Sequence, residues 1–138
     1  MSFLTKFFNQ KPVKRGVIFI VEDNIIYAKT LEAYIKSNFD TIKEIKIFPV
    51  GETCLMALHR NPDLIIMDYI LDTKYDDAET GLEIVKQIRA QKIDTNIILL
   101  SSQSEIEIVH DAIKNYNCHY IKKDEFAFVK IGKIIKEI

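Results

Sequence analysis

Five residues carry the chemistry this chain can do, four at the ends of apolar runs and the fifth at the end of a short run of mixed polarity. Leu64-Ile65-Ile66-Met67 runs into Asp68, and Val17-Ile18-Phe19-Ile20-Val21 runs into Glu22-Asp23. Ile97-Ile98-Leu99-Leu100 ends in Ser101, and Cys118-His119-Tyr120-Ile121 ends in Lys122-Lys123. Three carboxylates brought together repel, each pair at ~4 Å by roughly 1 kcal/mol in water and ~4 kcal/mol at an effective dielectric of 20. One lysine offsets part of that. Hard oxygen donors without histidine or cysteine point to Mg2+, or Mn2+ in its place, as the remaining counter-charge. A carboxylate beside such an ion, a hydroxyl and a lysine suits attack on phosphorus. Asp68 is the candidate nucleophile, giving an acyl phosphate, with Lys123 and Ser101 contacting the phosphoryl oxygens.

The elements that must position these groups are legible in the same runs. An uninterrupted apolar stretch bounded by a breaker, such as Asn61-Pro62 before Leu64, reads as a strand buried on both faces. Between the strands lie helical patterns. Ala28, Leu31 and Ile35 follow the plausible cap Asn24, and a helix over Glu52–Arg60 turns Leu55 and Leu58 inward. Gly81 opens a helix with Leu82, Val85 and Ile88. Ile106, Val109, Ile113 and Tyr116 stripe another from Glu105, and Phe128, Ile131, Ile135 and Ile138 stripe the last, from about Glu125. Gly132 inside that helix predicts close packing.

This alternation predicts an α/β fold with a parallel sheet and helices on both faces. The first, third and fourth strands are wholly apolar and belong in the middle. The second, Ile45-Lys46-Ile47-Phe48, and the fifth, with His119, suit the edges. The order 2-1-3-4-5 fits that division and places Glu22, Asp23 and Asp68 where the strand order reverses, the usual position of a site in such sheets.

The chain of 138 residues suits one domain. Four basic residues and no acid occupy residues 1–15, leaving 15 basic and 20 acidic residues in the remainder, a balance of −5. That body has no electrostatic footprint for nucleic acid. Residues 1–15 read as an N-terminal extension, with Phe3, Leu4, Phe7 and Phe8 on one stripe of a short helix. It packs on the domain or frays, or else docks to a partner, a second subunit or a membrane surface. No run reaches the ~20 apolar residues of a membrane span, and no signal core precedes the first strand, so a cytoplasmic protein without membrane insertion is expected. Cys54 and Cys118 read as buried free thiols. His59, His110 and His119 lie on separate elements with no spaced partner, and read as structural or surface residues.

Residues 16–138 resemble the receiver domain of two-component response regulators. Val21-Glu22-Asp23-Asn24 is similar to the family's acidic pair, and Met67-Asp68-Tyr69-Ile70-Leu71 to its phospho-acceptor segment. Ile97 to Ser102 resembles the strand with the Thr/Ser switch, and Tyr120-Ile121-Lys122-Lys123-Asp124 the lysine segment, whose spacing selects Lys123 over Lys122. The resemblance implies a flavodoxin-like fold. It also implies a single-domain regulator that accepts a phosphoryl group on Asp68 from a sensor histidine kinase or phosphotransfer protein. Such a protein is a phospho-acceptor rather than an enzyme, with at most self-phosphotransfer and autodephosphorylation activity. Mg2+ would be held by Asp23, Asp68 and the backbone carbonyl of Ile70, with Glu22 acting through water. Ser101 and Tyr120 would be switch residues. The signal would pass to a downstream protein through the face of the fourth helix, fifth strand and fifth helix, where homodimerisation is also common.

Departures from the family pattern are local. The segment after Asp68 is long, and holds Asp72 at the place of a common proline, with Asp76, Asp77 and Glu79 following. The segment reads as a solvated, flexible loop, and the alternatives for its added acids are an altered kinase choice, part of a partner contact or a second cation site. Ile70 and Gln103 occupy positions that influence dephosphorylation. An apolar Ile70 cannot orient an attacking water, so a phosphoryl lifetime longer than seconds is expected. An alternative function is a receiver-like scaffold that binds or dimerises without phosphorylation. A flavodoxin-like enzyme is disfavoured, because no glycine-rich phosphate loop follows the first strand and no Asp-x-Asp motif stands at Asp68.

Overall fold

The third strand, β3 (Leu64–Asp68), is buried along its whole length, and the sheet is assembled around it. The computed structural model describes residues 15–70, 80–102 and 106–138, with the backbone alone for 106–108. β3 pairs in parallel with β1 (Val17–Val21) on one side and β4 (Asn96–Ser101) on the other. β2 (Glu44–Phe48) completes the β1 side and β5 (His119–Lys122) the β4 side, giving the order β2-β1-β3-β4-β5. The predicted parallel sheet and its strand order are thus the observed ones.

The apolar runs are continuous because alternate residues feed two separate cores. Ile18, Ile20, Leu64, Ile66, Ile98 and Leu100 pack under α1 (Ile25–Asn38) and α5 (Ala127–Glu137). Phe19, Val21, Ile65, Met67, Ile97 and Leu99 pack under α2 (Gly51–Met56), α3 (Gly81–Ala90) and α4 (Ile106–Tyr116). The edge strands carry the exposed polar residues as expected: Lys46 lies over the Phe48 ring at 5.6 Å, and His119 faces solvent with His59 and His110. Cys54 and Cys118 are free and buried, and burial raises both thiols, Cys54 to about 12.

Three expectations need correction. The helix expected over Glu52–Arg60 stops at Met56, and a separate 3-10 turn spans Leu58–Arg60. Asn61 then takes a left-handed conformation (φ 52°) just before Pro62, which bars a helical residue ahead of it. Within this region Cys54 and Leu58 are buried while Leu55 is only partly so. Of the stripe expected in α4, Tyr116 packs against the core and Val109 is half-buried, whereas Ile113 is 51% exposed and the neighbouring small Ala112 is fully buried. The last helix starts at Ala127, two residues late, because the Asp124 side chain first accepts the Phe126 N–H at 2.9 Å.

Gly132 supports the predicted close packing: a Cβ there would lie 3.1 Å from the Tyr34 hydroxyl and 3.2 Å from Phe39 Cζ. Arg89 locks the opposite end of the sheet from the acids. Its guanidinium donates to the carbonyls of Ile93, Thr95, Tyr116 and Asn117. Residues 1–14 of the expected extension, most of the acidic segment after Asp68, and Gln103 lie outside the described residues.

Candidate phosphoryl-acceptor site

Backbone pairing continues past the strand ends, and this fixes the acidic residues. Glu22 N–H donates to the Phe48 carbonyl at 2.9 Å, Tyr69 N–H to Leu100 at 2.7 Å, and Lys123 N–H to Ser101 at 2.9 Å. The ladder therefore carries Glu22, Asp68, Ser101 and Lys123 to one edge of the sheet. Among the described residues the buried polar and charged ones are Glu22, Asp68 and Ser101, and all three lie here.

A close backbone approach supports Asp68 from behind. Gly81, the first residue of α3, sits so near that a Cβ on it would lie 2.0 Å from the Asp68 carbonyl oxygen. Its N–H donates to the Tyr69 carbonyl at 2.7 Å. Thr80 caps the helix, accepting the Glu83 N–H at 3.3 Å. On the other side, Asn24 caps α1 by accepting the Tyr27 N–H at 3.1 Å.

Glu22, Asp23 and Asp68 each offer a carboxylate oxygen within 4.8 Å of the others. Lys123 Nζ donates to Glu22 Oε1 at 2.8 Å and lies 3.6 Å from Asp68 Oδ2. Its ammonium also rests over the Tyr27 ring, 4.3 Å from the centroid. Glu22 Oε2 is buried and has no hydrogen-bond partner among the described residues. Burial pushes the Asp68 carboxyl up to about 8. A hydrogen bond with Glu22 and repulsion from it add to this, Lys123 lowers it, and Asp23 adds the smallest push upward.

These features fit a hard divalent cation. Three converging oxygen donors, an orphaned buried carboxylate oxygen and an acid held above its ordinary range all call for positive charge at this point. Asp23 and Asp68 are the carboxylates that would ligate it, with Glu22 beside them.

The remaining candidates from the sequence fall into place unevenly. Ser101 is buried at the end of β4, next in the sheet to Asp68. Lys122 is exposed, whereas Lys123 turns into the acids. Tyr120 is half-buried and packs against the core under α2–α4. Ile70 is half-buried two residues beyond Asp68. Tyr27 had no signal in the sequence, since it is one apolar-face residue of α1 and its partner is far along the chain.

A family model described as the response regulator receiver domain matches residues 18–136. Among solved structures, the chain is similar to the receiver domain of Francisella response regulator 1452, at 19% identity and TM-score 0.74, covering 88% of this chain and 93% of that one. It is also similar to a CheY-like receiver domain protein of Methanospirillum hungatei, at 16% identity and TM-score 0.70, covering 91% and 94%. DrrB of Thermotoga maritima, an OmpR/PhoB homolog, matches at 22% identity and TM-score 0.69, covering 88% of this chain and 51% of that one. No helix among the described residues is long and apolar enough to cross a membrane.

Proposed function

The chain belongs to the response regulator receiver family, and on that premise we propose that Asp68 is its phosphoryl acceptor. An Asp68 carboxylate oxygen attacks the phosphorus of a phosphohistidine on a sensor kinase or phosphotransfer protein. The new P–O bond forms as the P–N bond breaks, its electron pair leaves with the imidazole, and that ring takes up a proton. The observation that carries this reading is the burial of Asp68 among two further carboxylates with the Lys123 ammonium 3.6 Å away.

Each neighbour has a role in that step. Lys123 can pass from Asp68 to the arriving phosphoryl oxygens, because its stronger bond is to Glu22 and its position does not depend on the acceptor. Ser101, at the end of the adjacent strand, donates its hydroxyl to a phosphoryl oxygen. Asp23, Asp68 and the Ile70 carbonyl would hold Mg2+ or Mn2+, with Glu22 through water, and the ion when bound supplies the positive charge that keeps Asp68 ionised at neutral pH. Ser101 and Tyr120 then report the phosphoryl group to the surface made by α4, β5 and α5, where a downstream protein or a second copy binds. Residues 1–15 are an appended segment and 16–138 the receiver itself.

The test is intact mass after incubation with acetyl phosphate and Mg2+, beside Asp68→Asn and a metal-free control. One phosphoryl group should be gained, and lost in both controls. Absence of any gain, together with no binding of beryllofluoride, would reject the reading in favour of a scaffold that works without phosphorylation.

A further inference from the structure

The Lys123 ammonium has a third support besides its two carboxylates. Nζ lies 4.3 Å from the centre of the Tyr27 ring, within the range in which the electron-rich face of an aromatic attracts a cation. The ring is itself held from several sides. Phe128 meets it edge to face at 5.5 Å and 69°, and Tyr34 packs on Phe128 at 5.5 Å. Asn24 fixes the Tyr27 backbone at the first turn of α1. Glycine at position 132 lets Tyr34 and Phe39 close in behind.

The polar tip of Tyr27 does none of this. Its hydroxyl is buried without a hydrogen-bond partner among the described residues. The aromatic body is what touches the site.

We propose that Tyr27 is a positioning residue for phosphoryl transfer, its ring holding the Lys123 ammonium beside Asp68 where the charge of the incoming phosphoryl group arrives. This inference rests on Asp68 being the acceptor. A lysine on a flexible four-carbon stem, bonded to Glu22 alone, could swing away from Asp68 along with its partner. A ring face restricts that swing without adding charge. A further carboxylate in its place would bind the ammonium harder and compete with the phosphoryl oxygens for it. The ring exerts a weaker pull, so the lysine is placed and yet remains available.

The experiment uses the full chain carrying Tyr27→Phe or Tyr27→Leu, each with Lys123 intact and in a Lys123→Met background. The phosphorylation rate is followed by intact mass with acetyl phosphate and Mg2+. NMR of the Lys123 Cε methylene is recorded without donor. Tyr27→Leu should slow phosphorylation about three- to tenfold and Tyr27→Phe by less than about twofold. The Leu effect should vanish in the Lys123→Met background. The methylene protons should be shifted upfield by the ring in wild type and Tyr27→Phe and lose that shift in Tyr27→Leu. Should the Leu variant fail to fold, Tyr27→Met takes its place in the same comparison.

Equal slowing by Phe and Leu, an undiminished Leu effect without Lys123, or no ring-induced shift in wild type would each overturn the proposal. Failure of the wild-type protein to gain a phosphoryl group would instead defeat the functional reading beneath it. A wild-type gain with Tyr27→Leu at the wild-type rate defeats the positioning role alone.

Discussion

Lys123 binds Glu22 at 2.8 Å and Asp68 at only 3.6 Å. The buried acid proposed to react therefore has the lesser share of the ammonium that serves the site. Glu22, 2% exposed, takes the greater share. Desolvation of Asp68 is consequently undercompensated, and its carboxyl rises to about 8 although a cation stands nearby.

That rise sets a pH dependence of stability. Between the ordinary carboxyl value near 4 and the folded value of about 8, the folded protein keeps a proton on Asp68 that the unfolded chain has lost. Stability must therefore fall as pH rises through this window, the reverse of the trend for a salt-bridged carboxylate. In a chelating buffer the protein should melt several degrees higher at pH 5 than at pH 8.5 by calorimetry. Asp68→Asn should flatten the difference by gaining at the alkaline end.

Replacing Glu22 by Gln removes the group that competes with Asp68 for Lys123. The ammonium should then settle on Asp68, and its carboxyl should titrate well below its present value, read by carbonyl NMR. The same change takes a carboxylate from beside the cation site. Mg2+ affinity, measured by calorimetric titration, should drop roughly tenfold, as for loss of a supporting second-layer group.

Gly81→Ala places a methyl 2.0 Å from the Asp68 carbonyl oxygen, and backbone has no rotamer with which to give way. A loss of about 2 kcal/mol in urea unfolding is expected, within the range for overpacking, and phosphorylation should slow with it. At Gly51 the intruding methyl would meet the Ile84 side chain, at 2.4 and 2.6 Å. Ile84 is fully buried and the nearer of these atoms is Cγ1, so Gly51→Ala should also destabilise, by about 1–3 kcal/mol. Its clash is with a side chain and not with Asp68, so the phosphorylation rate should stay unaltered.

Arg89→Lys tests a strut far from the acids. The guanidinium serves four carbonyls at once, from 2.8 to 3.2 Å. Lysine presents its donors from a single point and cannot span them. A loss of about 2–3 kcal/mol in urea unfolding is expected from the carbonyls left unpaired, with phosphorylation at Asp68 unaltered in the protein that remains folded.

The sheet and the acidic cluster were legible because they depend on the simplest signals. Wholly apolar runs could only be central strands, and residues just past them could only gather at one edge. The same argument could not rank the contacts made there. That Lys123 favours Glu22 over Asp68, and rests on Tyr27, depends on side chains 101 residues apart in the first case and on a helix face in the second. Periodicity misplaced Ile113 of α4 for a related reason. It marks the large apolar residues, whereas among the described side chains of that helix it is the small Ala112 that is fully buried and Ile113 that is exposed. Over Glu52–Arg60 the apolar spacing continued through a break that Asn61 and Pro62 impose on the backbone.

The bond from Gly81 N–H to the Tyr69 carbonyl, with Gly81 seated on Asp68, joins the two ends of the long acidic segment at its base. Lengthening a closed loop costs only about 0.6 kcal/mol per doubling, so the bond at the base should tolerate chain added between its two ends. A peptide tag spliced between Asp72 and Glu79 should therefore leave the melting temperature close to that of the unaltered chain.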